Sequence, residues 1–253
     1  MSQDLLVQQD GPVLRITLNR PDNGNGMTDA MALQFAEVVG KAHETSDMIV
    51  LAANGPDFCT GRASSPNAVN ATGGAPVPVD AWNRRFDNDV IFNCYWAMRR
   101  SPIPVIGKIR GRCMGFGMAL AALCDVSFSS DKATYNAPEM NHNILPTMVM
   151  SSLFDRVSRN AIAYLVYSTD FVDAQRALSY GLVSTVVADD KLDATLDAFL
   201  ANMVNTPRPA LMGLKEYLRV APNMDAQGGI DLARSLHAVV NTSGEMKKKK
   251  RHH

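Results

Sequence analysis

Two segments of the chain could hold an anion on backbone N–H groups. The first, residues 54–63, follows a predicted buried strand and contains Gly55 and Gly61. Glycine adopts backbone conformations in which neighbouring N–H groups point at the same ligand. A surface turn is the alternative interpretation of such a segment taken alone.

The second segment, residues 111–117, has glycines at positions 111, 115 and 117 and lies between a predicted strand and a predicted apolar helix. A strand-to-helix turn of this kind presents the unpaired amides of a helix N-terminus to a negatively charged group. A nucleotide site is disfavoured, because the segment lacks the Gly-Lys-Ser/Thr ending of a phosphate-binding loop and the third glycine of a dinucleotide fingerprint. An oxyanion is the ligand that these segments could hold.

The composition favours a discrete organic substrate over a polymer or a membrane. Lys+Arg and Asp+Glu each number 25 among 253 residues, so the formal net charge is +0 and there is no overall field to attract nucleic acid or a membrane surface. No apolar run approaches the roughly 20 residues of a membrane helix, and the polar N-terminus does not resemble a signal peptide. We therefore expect a cytoplasmic protein.

The cysteines predict neither a disulfide nor a metal site. The chain has 4 cysteines, with no Cys-x-x-Cys pair and no histidine at metal-ligand spacing. Such cysteines are typical of buried, reduced thiols. They are Cys59, Cys94, Cys113 and Cys124.

Alternating strands and helices are predicted to position the two glycine segments. In chain order we expect a hairpin of strands 5–9 and 13–18, a helix from Asp29, capped by Thr28, to about residue 45, a strand at 48–53, a helix near 81–99, a strand at 104–109, an apolar helix to about residue 124, and short strands near 126–129 and 133–135. Residues from 148 onward are predicted to be mostly helical, with a strand at 183–187. Strands separated by helices imply an α/β fold with a largely parallel sheet.

No internal repeat or linker divides the chain. Residues 1–246 are therefore predicted to form a single domain, with its C-terminal helical part from about residue 190. Residues 247–253 carry a run of lysines, an arginine and two histidines without an apolar face. We expect them to be a disordered tail or the remnant of a tag.

Short motifs occur along the chain in a recognisable order. They are Asn19-Arg20-Pro21, Phe58-Cys59-Thr60-Gly61, the segments 104–111 and 115–121, Cys124-Asp125, the segment 133–139, Ile144-Leu145-Pro146 and the segment 177–183. In sequence and spacing they resemble the crotonase (enoyl-CoA hydratase/isomerase) family, and together they span nearly the whole chain. The resemblance implies a crotonase-like (ClpP/crotonase) α/β fold, a spiral of ββα units with a helical C-terminal region.

The resemblance also implies an acyl-CoA site with an oxyanion hole. Family members bind the thioester carbonyl between two backbone N–H groups, which correspond here to those of Arg62 and Phe116. Each such donor typically stabilises the developing enolate by about 3–4 kcal/mol. The neighbouring residues implied to bind substrate are Thr60, Gly61, Gly115 and Gly117. Coenzyme A would enter as part of the substrate, with no permanently bound cofactor.

One carboxylate of the family pattern is kept and one is lost. Glu139 matches the second of two glutamates in family hydratases, whereas Ala119 stands at the position of the first. Hydration needs a group that activates water and usually a second one that shares its protons, and alanine can do neither. Moving a double bond needs only one carboxylate. The resemblance therefore favours an enoyl-CoA isomerase, with a hydratase or a hydrolase as alternatives and a non-catalytic CoA-ester binding protein as the alternative of another class.

Other positions depart from the family pattern. Asn143 and Thr147 stand where glycines are common, and Thr147 also falls where dienoyl-CoA isomerases and dehalogenase relatives carry an aspartate, so those chemistries are disfavoured. His142 is either a pH-sensitive helper or a solvated side chain. Arg62 puts a cation near the expected thioester, to pair with a substrate carboxylate, with a CoA phosphate or with solvent.

Two further groups of charged residues have alternative interpretations. Lys215 is either a CoA-phosphate contact of the C-terminal helices or a helix-surface lysine. The charged residues at positions 84, 85, 87 and 89 either border the acyl pocket or form a solvated helix face. The resemblance implies a homotrimer or a hexamer, with no nucleic-acid or membrane partner.

Overall fold

Apolar runs form two β-sheets in this structure, a computed structural model that describes residues 3–63, 82, 86 and 88–247. The strands in chain order are β1 (Leu5–Asp10), β2 (Val13–Leu18), β3 (Met48–Ala53), β4 (Val105–Ile109), β5 (Arg112–Met114), β6 (Val126–Ser130), β7 (Thr134–Asn136), β8 (Val172–Asp173) and β9 (Thr185–Val187). The larger sheet has the order β1-β2-β3-β4-β6-β9, and the smaller one has the order β5-β7-β8.

The larger sheet is parallel except for its first hairpin. β1 and β2 pair antiparallel through a turn at Gly11, whose φ is +54°. The pairs β2–β3, β3–β4, β4–β6 and β6–β9 are all parallel. Parallel strands require crossover connections, and helices supply most of them. The predicted α/β fold with a largely parallel sheet is confirmed.

Helices follow the strands and fill the C-terminal part of the chain. They are α1 (Asp29–Lys41), α2 (Asp89–Arg100), α3 (Phe116–Leu123), α4 (Thr147–Leu153), α5 (Arg159–Ser168), α6 (Ala174–Ser179), α7 (Leu192–Met203), α8 (Arg208–Val220) and α9 (Ala226–Thr242). The predicted cap of α1 is confirmed, since Thr28 Oγ1 accepts a hydrogen bond from Met31 N at 3.2 Å. The helix expected from about residue 81 begins at Asp89.

Alternate residues of the strands face two separate apolar clusters. Ile16, Ile49 and Leu51 point to the larger cluster, which contains the buried sides of α1, α2 and α3. Val50 and Ile106 point to the other face and pack with buried leucines of α7. This alternation follows from the two-residue period of a strand. Burial on both faces explains why β3 is a continuous apolar run.

Several strands also differ from the sequence-based expectations. β5 lies within the glycine segment 111–117, which was predicted to be a loop, and β8 interrupts a stretch predicted to be helical. β9 begins at Thr185 rather than at residue 183. Residues 84, 85 and 87 and the tail from residue 248 lie outside the described residues. No helix in the described ranges is long and apolar enough to cross a membrane.

Candidate active site

In the first glycine segment, the N–H of Arg62 points away from Met27, the residue whose backbone holds this segment in place. The Gly61 carbonyl accepts a hydrogen bond from Met27 N at 3.0 Å, and Ala63 N donates to Met27 O at 2.8 Å. In a planar trans peptide the C=O and N–H point in opposite directions. The Arg62 N–H, which shares its peptide with the Gly61 carbonyl, therefore points away from Met27. Gly61 has a φ of +126°, which a residue with a Cβ rarely adopts.

The second glycine segment is joined to the first by backbone pairing. Cys59 N donates to Arg112 O at 3.2 Å, and Met114 N donates to Cys59 O at 2.9 Å. The Arg112 guanidinium also donates to Asp57 at 2.7 and 2.8 Å, and this cation holds the pKa of the Asp57 carboxyl below its usual range. The two segments therefore form one backbone unit.

Gly117 permits the first turn of α3 to touch the first segment. A Cβ at position 117 would lie 2.2 Å from the Cys59 carbonyl oxygen, which is closer than any allowed contact. Only glycine fits this approach. Because Cys59 lies three residues before Arg62, the N-terminus of α3 is brought close to the first predicted donor.

The N–H of Phe116 points out of the N-terminus of α3. Gly115 is the N-cap residue, and its carbonyl accepts a hydrogen bond from Ala119 N at 3.0 Å along the helix. The Phe116 N–H belongs to the same peptide and therefore points the opposite way. First-turn N–H groups have no acceptor within their helix. Both predicted oxyanion donors thus lie on adjoining backbone segments, and each N–H points away from the hydrogen bond made by the carbonyl of its own peptide.

Glu139 lies directly against the second donor. It opens a short 3-10 helix, Glu139–His142, and a Cβ at Gly115 would be 2.7 Å from Glu139 Oε1. Its other carboxylate oxygen, Oε2, is buried and has no hydrogen-bond partner among the residues that the structure describes. Burial raises the pKa of Glu139, while its own backbone N–H and the charge of His142 oppose that shift. A partly desolvated carboxylate with one oxygen left open and a raised pKa suits general acid/base chemistry.

Tyr95 is a member of the site that sequence reasoning missed. It is 4% exposed, and its ring stacks on that of Phe116 with centroids 5.5 Å apart and planes 28° apart. Its pKa is raised by burial and by the charge of Glu139, which places the phenol within the field of that carboxylate. The only signal in the sequence is its place on the apolar stripe of α2 with Ile91, Cys94 and Met98.

The Arg62 side chain has hydrogen-bond partners within the protein. Its Nε and Nη2 donate to Asp29 Oδ1 at 3.1 and 2.8 Å, and its Nη1 donates to Asn88 Oδ1 at 2.8 Å. These contacts give the cation partners within the protein, while a substrate carboxylate or a CoA phosphate as a further partner stays a prediction. Carboxylate and amide oxygens at the starts of α1 and α2 take up the cation.

The structure places the remaining predicted residues around this unit in different ways. Thr60 contacts the N-terminal loop, since its Oγ1 donates to Gly24 O at 3.1 Å. His142 and Thr147 are exposed. Asn143 has a φ of +55°, so it keeps the left-handed conformation that a glycine would adopt there, which asparagine tolerates. The predicted acyl-pocket residues at 84, 85 and 87 are outside the described residues, whereas Asp89 is exposed at the start of α2.

Lys215 contradicts the expectation of a surface lysine. It is 4% exposed, and its Nζ lies 2.6 and 2.7 Å from the two carboxylate oxygens of Asp125. Asp125 follows the C-terminal end of α3, whereas Phe116 begins that helix. The ammonium is therefore engaged in an internal ion pair rather than free for a CoA phosphate.

The cysteines are buried free thiols, as predicted. Burial raises the pKa of Cys59 to about 11 and of Cys94 and Cys124 to about 12, so these thiols stay protonated near neutral pH. Within the described part of the chain, no group of three or more His, Cys, Asp or Glu side chains could hold a metal ion.

Comparison with known families agrees with this geometry. The profile of the family described as enoyl-CoA hydratase/isomerase matches residues 8–251. A mouse protein, enoyl-CoA hydratase domain-containing protein 3, mitochondrial, is 27% identical, and the alignment covers 74% of this chain but 60% of that protein. From Escherichia coli, a 2,3-dehydroadipyl-CoA hydratase is 26% identical over 94% of this chain and 90% of its own length. The 1,2-epoxyphenylacetyl-CoA isomerase of the same organism is 25% identical over 97% and 93%.

Solved structures share the fold. The enoyl-CoA hydratase of Mycobacterium smegmatis superposes with a TM-score of 0.85 at 26% identity, covering 96% of this chain and 93% of that one. A putative enoyl-CoA hydratase from Thermobifida fusca in complex with acetoacetyl-CoA has a TM-score of 0.81 at 29% identity, covering 94% of each chain. The family match over residues 8–251 includes both glycine segments and Glu139.

Proposed function

The chain belongs to the enoyl-CoA hydratase/isomerase family and is an enzyme of that family, and from this premise we propose that it isomerises the double bond of an acyl-CoA thioester. The thioester oxygen would accept hydrogen bonds from the backbone N–H groups of Arg62 and Phe116. These donors stabilise the negative charge that develops on that oxygen when C2 loses a proton. Coenzyme A is part of the substrate in this proposal, consistent with the acetoacetyl-CoA in the Thermobifida structure.

Glu139 would carry the proton. Its carboxylate removes a proton from C2 of a 3-enoyl thioester to give a dienolate, and then returns that proton at C4 to give the 2-enoyl thioester. The observation that carries this proposal is the Glu139 Oε2, buried and unpaired among the described residues, beside the α3 donor. Position 119 is a fully buried alanine and offers no second carboxylate.

The test is a mass-spectrometric assay in deuterated, oxygen-18-labelled water with 2-enoyl, 3-enoyl and saturated acyl-CoA thioesters. Isomerisation predicts a shifted double bond and no labelled oxygen in the product, with deuterium at C2 or C4 in those turnovers in which the proton held by Glu139 exchanges with solvent before it is returned. Glu139→Gln should abolish turnover and leave the fold intact, with a loss of about 10²- to 10⁴-fold. Unchanged turnover in this variant would reject Glu139 as the proton carrier.

Hydration is the second candidate, supported by the hydratase names of several relatives. It predicts incorporation of oxygen-18, with water activated without a carboxylate at position 119. Hydrolysis would also incorporate solvent oxygen, but into a free acid. CoA binding without turnover on any thioester would instead favour a non-catalytic CoA-ester binding protein.

We further propose a homotrimer or hexamer and a cytoplasmic location. The oligomer rests on the family resemblance. Curated relatives such as the mouse protein are named mitochondrial. Sedimentation velocity of the full chain and fractionation of its source cells test these two proposals.

A further inference from the structure

Arg62 is held at both its backbone and its side chain by one short segment, residues 27–29. Met27 brackets the Arg62 backbone through Gly61 O and Ala63 N at 3.0 and 2.8 Å. Two residues later, Asp29 Oδ1 accepts from the Arg62 Nε and Nη2 at 3.1 and 2.8 Å. Thr28, between them, caps α1. The segment is therefore itself anchored and can serve as a fixed template.

The backbone preceding Arg62 needs such a template. The peptide that carries the Arg62 N–H begins at Gly61, whose φ of +126° lies in a region where glycine has wide freedom. A small rotation about this glycine would turn the N–H away from a bound oxygen. The guanidinium contacts to Asp29, and the additional one to Asn88 at 2.8 Å, oppose such a rotation from the side-chain end.

The Arg62–Asp29 pair contributes little to fold stability, because its side chains are 26% and 42% exposed and ion pairs this exposed are weak in folding. Alignment of an oxyanion donor, in contrast, has a large effect on rate, since the donor must lie at hydrogen-bond distance from the charge that develops. The same contact can therefore matter much more for turnover than for folding.

We propose that Asp29 is a positioning residue of the oxyanion hole, which orients the Arg62 N–H by accepting two hydrogen bonds from the Arg62 guanidinium. This role rests on the proposed function of the Arg62 and Phe116 amides. Asp29 acts through Arg62 and does not touch the substrate. In this role, the side-chain pair of Asp29 and Arg62 supports the position of a backbone donor, the Arg62 N–H.

The variants that test this role differ in what they leave at position 29. Asp29→Ala removes the acceptor, whereas Asp29→Asn keeps an Oδ1. Because both hydrogen bonds end on Oδ1, asparagine can retain them without the charge. Asn88→Ala removes only the third contact. The matched control is Glu37→Ala, which breaks the exposed Glu37–Lys41 pair of 2.7 Å on the same helix α1.

The readout is the polarisation of a bound thioester. Butyryl-CoA labelled with carbon-13 at its carbonyl is bound to the full-length protein, and the carbonyl band is followed by isotope-edited difference infrared spectroscopy. Hydrogen bonds from the two amides should lower its frequency in the wild type. We expect Asp29→Ala to lose part of that shift, with kcat lower by about 10- to 100-fold and KM nearly unchanged. Asp29→Asn and Asn88→Ala should show smaller losses, and Glu37→Ala none.

The outcomes separate the role of Asp29 from the oxyanion hole itself. A wild type that shows no carbonyl shift would overturn the hole and, with it, the positioning role. A normal wild-type shift that Asp29→Ala retains, at unchanged kcat, would overturn only the role of Asp29. Equal losses of the carbonyl shift and of kcat in Asp29→Ala and Asp29→Asn would mean that the charge of Asp29, and not its hydrogen-bond geometry, orients the Arg62 N–H. Urea unfolding of each variant checks that the fold is kept, and Asn88→Ala still tests the network if Asp29→Ala does not fold.

Discussion

At the scale of single residues, the site holds a carboxylate oxygen, Glu139 Oε2, that is buried and has no hydrogen-bond partner among the described residues. Such a group is costly to the fold, because burial disfavours its charged form. The same burial raises the pKa of Glu139 and keeps water away from the oxygen that would move the proton. Function and stability are therefore opposed at this residue, as is common in active sites.

This opposition predicts a pH-dependent stability. A carboxyl whose pKa is raised by folding contributes stability below its unfolded pKa, and that contribution is lost as the pH rises through the folded pKa. Glu139→Gln removes the titration, so the variant should gain stability relative to the wild type as the pH rises from the ordinary glutamate range, near 4.5, towards 8. Urea unfolding at several pH values measures this difference. A constant difference across the range would contradict a raised pKa.

Tyr95 gives a second prediction at this scale. Its ring is packed on Phe116 and edge-on to Phe92, at centroid distances of 5.5 and 6.4 Å, and no hydrogen bond contributes to the shift of its pKa. Tyr95→Phe keeps the stacking and leaves no hydrogen-bond partner unsatisfied among the described residues. The free energy of unfolding should therefore change by less than about 1 kcal/mol. Tyr95→Ala should cost about 3–5 kcal/mol, by analogy with other large aromatic truncations.

Turnover distinguishes a structural phenol from a functional one. If the hydroxyl only fills space, Tyr95→Phe has wild-type kcat and KM. A fall in kcat at unchanged stability would instead assign the hydroxyl a contact with the substrate or with Glu139. Steady-state kinetics on the thioester panel, with urea unfolding on the same samples, separates these cases.

At the scale of elements, the contact between α3 and the first glycine segment joins the two segments that carry the proposed donors. Gly117→Ala would place a Cβ 2.2 Å from Cys59 O and 2.7 Å from Cys59 Cβ. Because the first of these neighbours is backbone, the helix must move away. We expect a loss of about 1–3 kcal/mol in stability and a larger relative loss of turnover, since the donors separate.

Gly40→Ala is the matched control for this substitution. Gly40 lies in α1, and a Cβ there meets nothing within 4 Å. The change should stabilise the protein by about 0.5–1 kcal/mol, because alanine favours a helix more than glycine does. Thermal unfolding and turnover of both variants check the pair. A fully active Gly117→Ala protein would show that the donors do not depend on this contact.

The elements also show how far the sequence alone could lead. The boundaries of β2 and β3, and the start and cap of α1, follow from apolar period and local side-chain chemistry, so they were predictable. β5 and β8 have 3 and 2 residues, too short for any period to emerge. Both depend on pairing with β7, a long-range contact that no local pattern encodes.

The same distinction holds within the site. Glu139 and the two proposed donor positions could be predicted because motifs mark them. Asp29 and Tyr95 were not found, because their relevance comes from contacts across the chain: Asp29 meets Arg62 at a separation of 33 residues. A carboxylate in the first turn of a helix and an aromatic residue on an apolar stripe look ordinary until the fold brings them to the oxyanion donors.

At the scale of the whole molecule, a buried ion pair ties the C-terminal helices to the sheet. Lys215 on α8 meets Asp125, whose Oδ2 also accepts a hydrogen bond from Val105 N at 2.8 Å at the start of β4. The side chains of Lys215 and Asp125 are 4% and 11% exposed. Removing one member of a buried pair leaves an uncompensated charge, which lowers the free energy of unfolding by about 3–5 kcal/mol.

Lys215→Met is therefore expected to destabilise the protein by about 3–5 kcal/mol and to leave its affinity for CoA unchanged at temperatures where it remains folded. Lys108→Met is the control, because Lys108 pairs with Asp193 at 2.7 Å where the side chains are 25% and 58% exposed, and its loss should cost less than about 1 kcal/mol. Urea unfolding measures the first effect, and calorimetric titration with CoA measures the second. Hydrogen exchange should show earlier opening of α8 in Lys215→Met, because the pair docks that helix. Weaker CoA binding at unchanged stability would contradict this assignment and return Lys215 to the role of a phosphate contact.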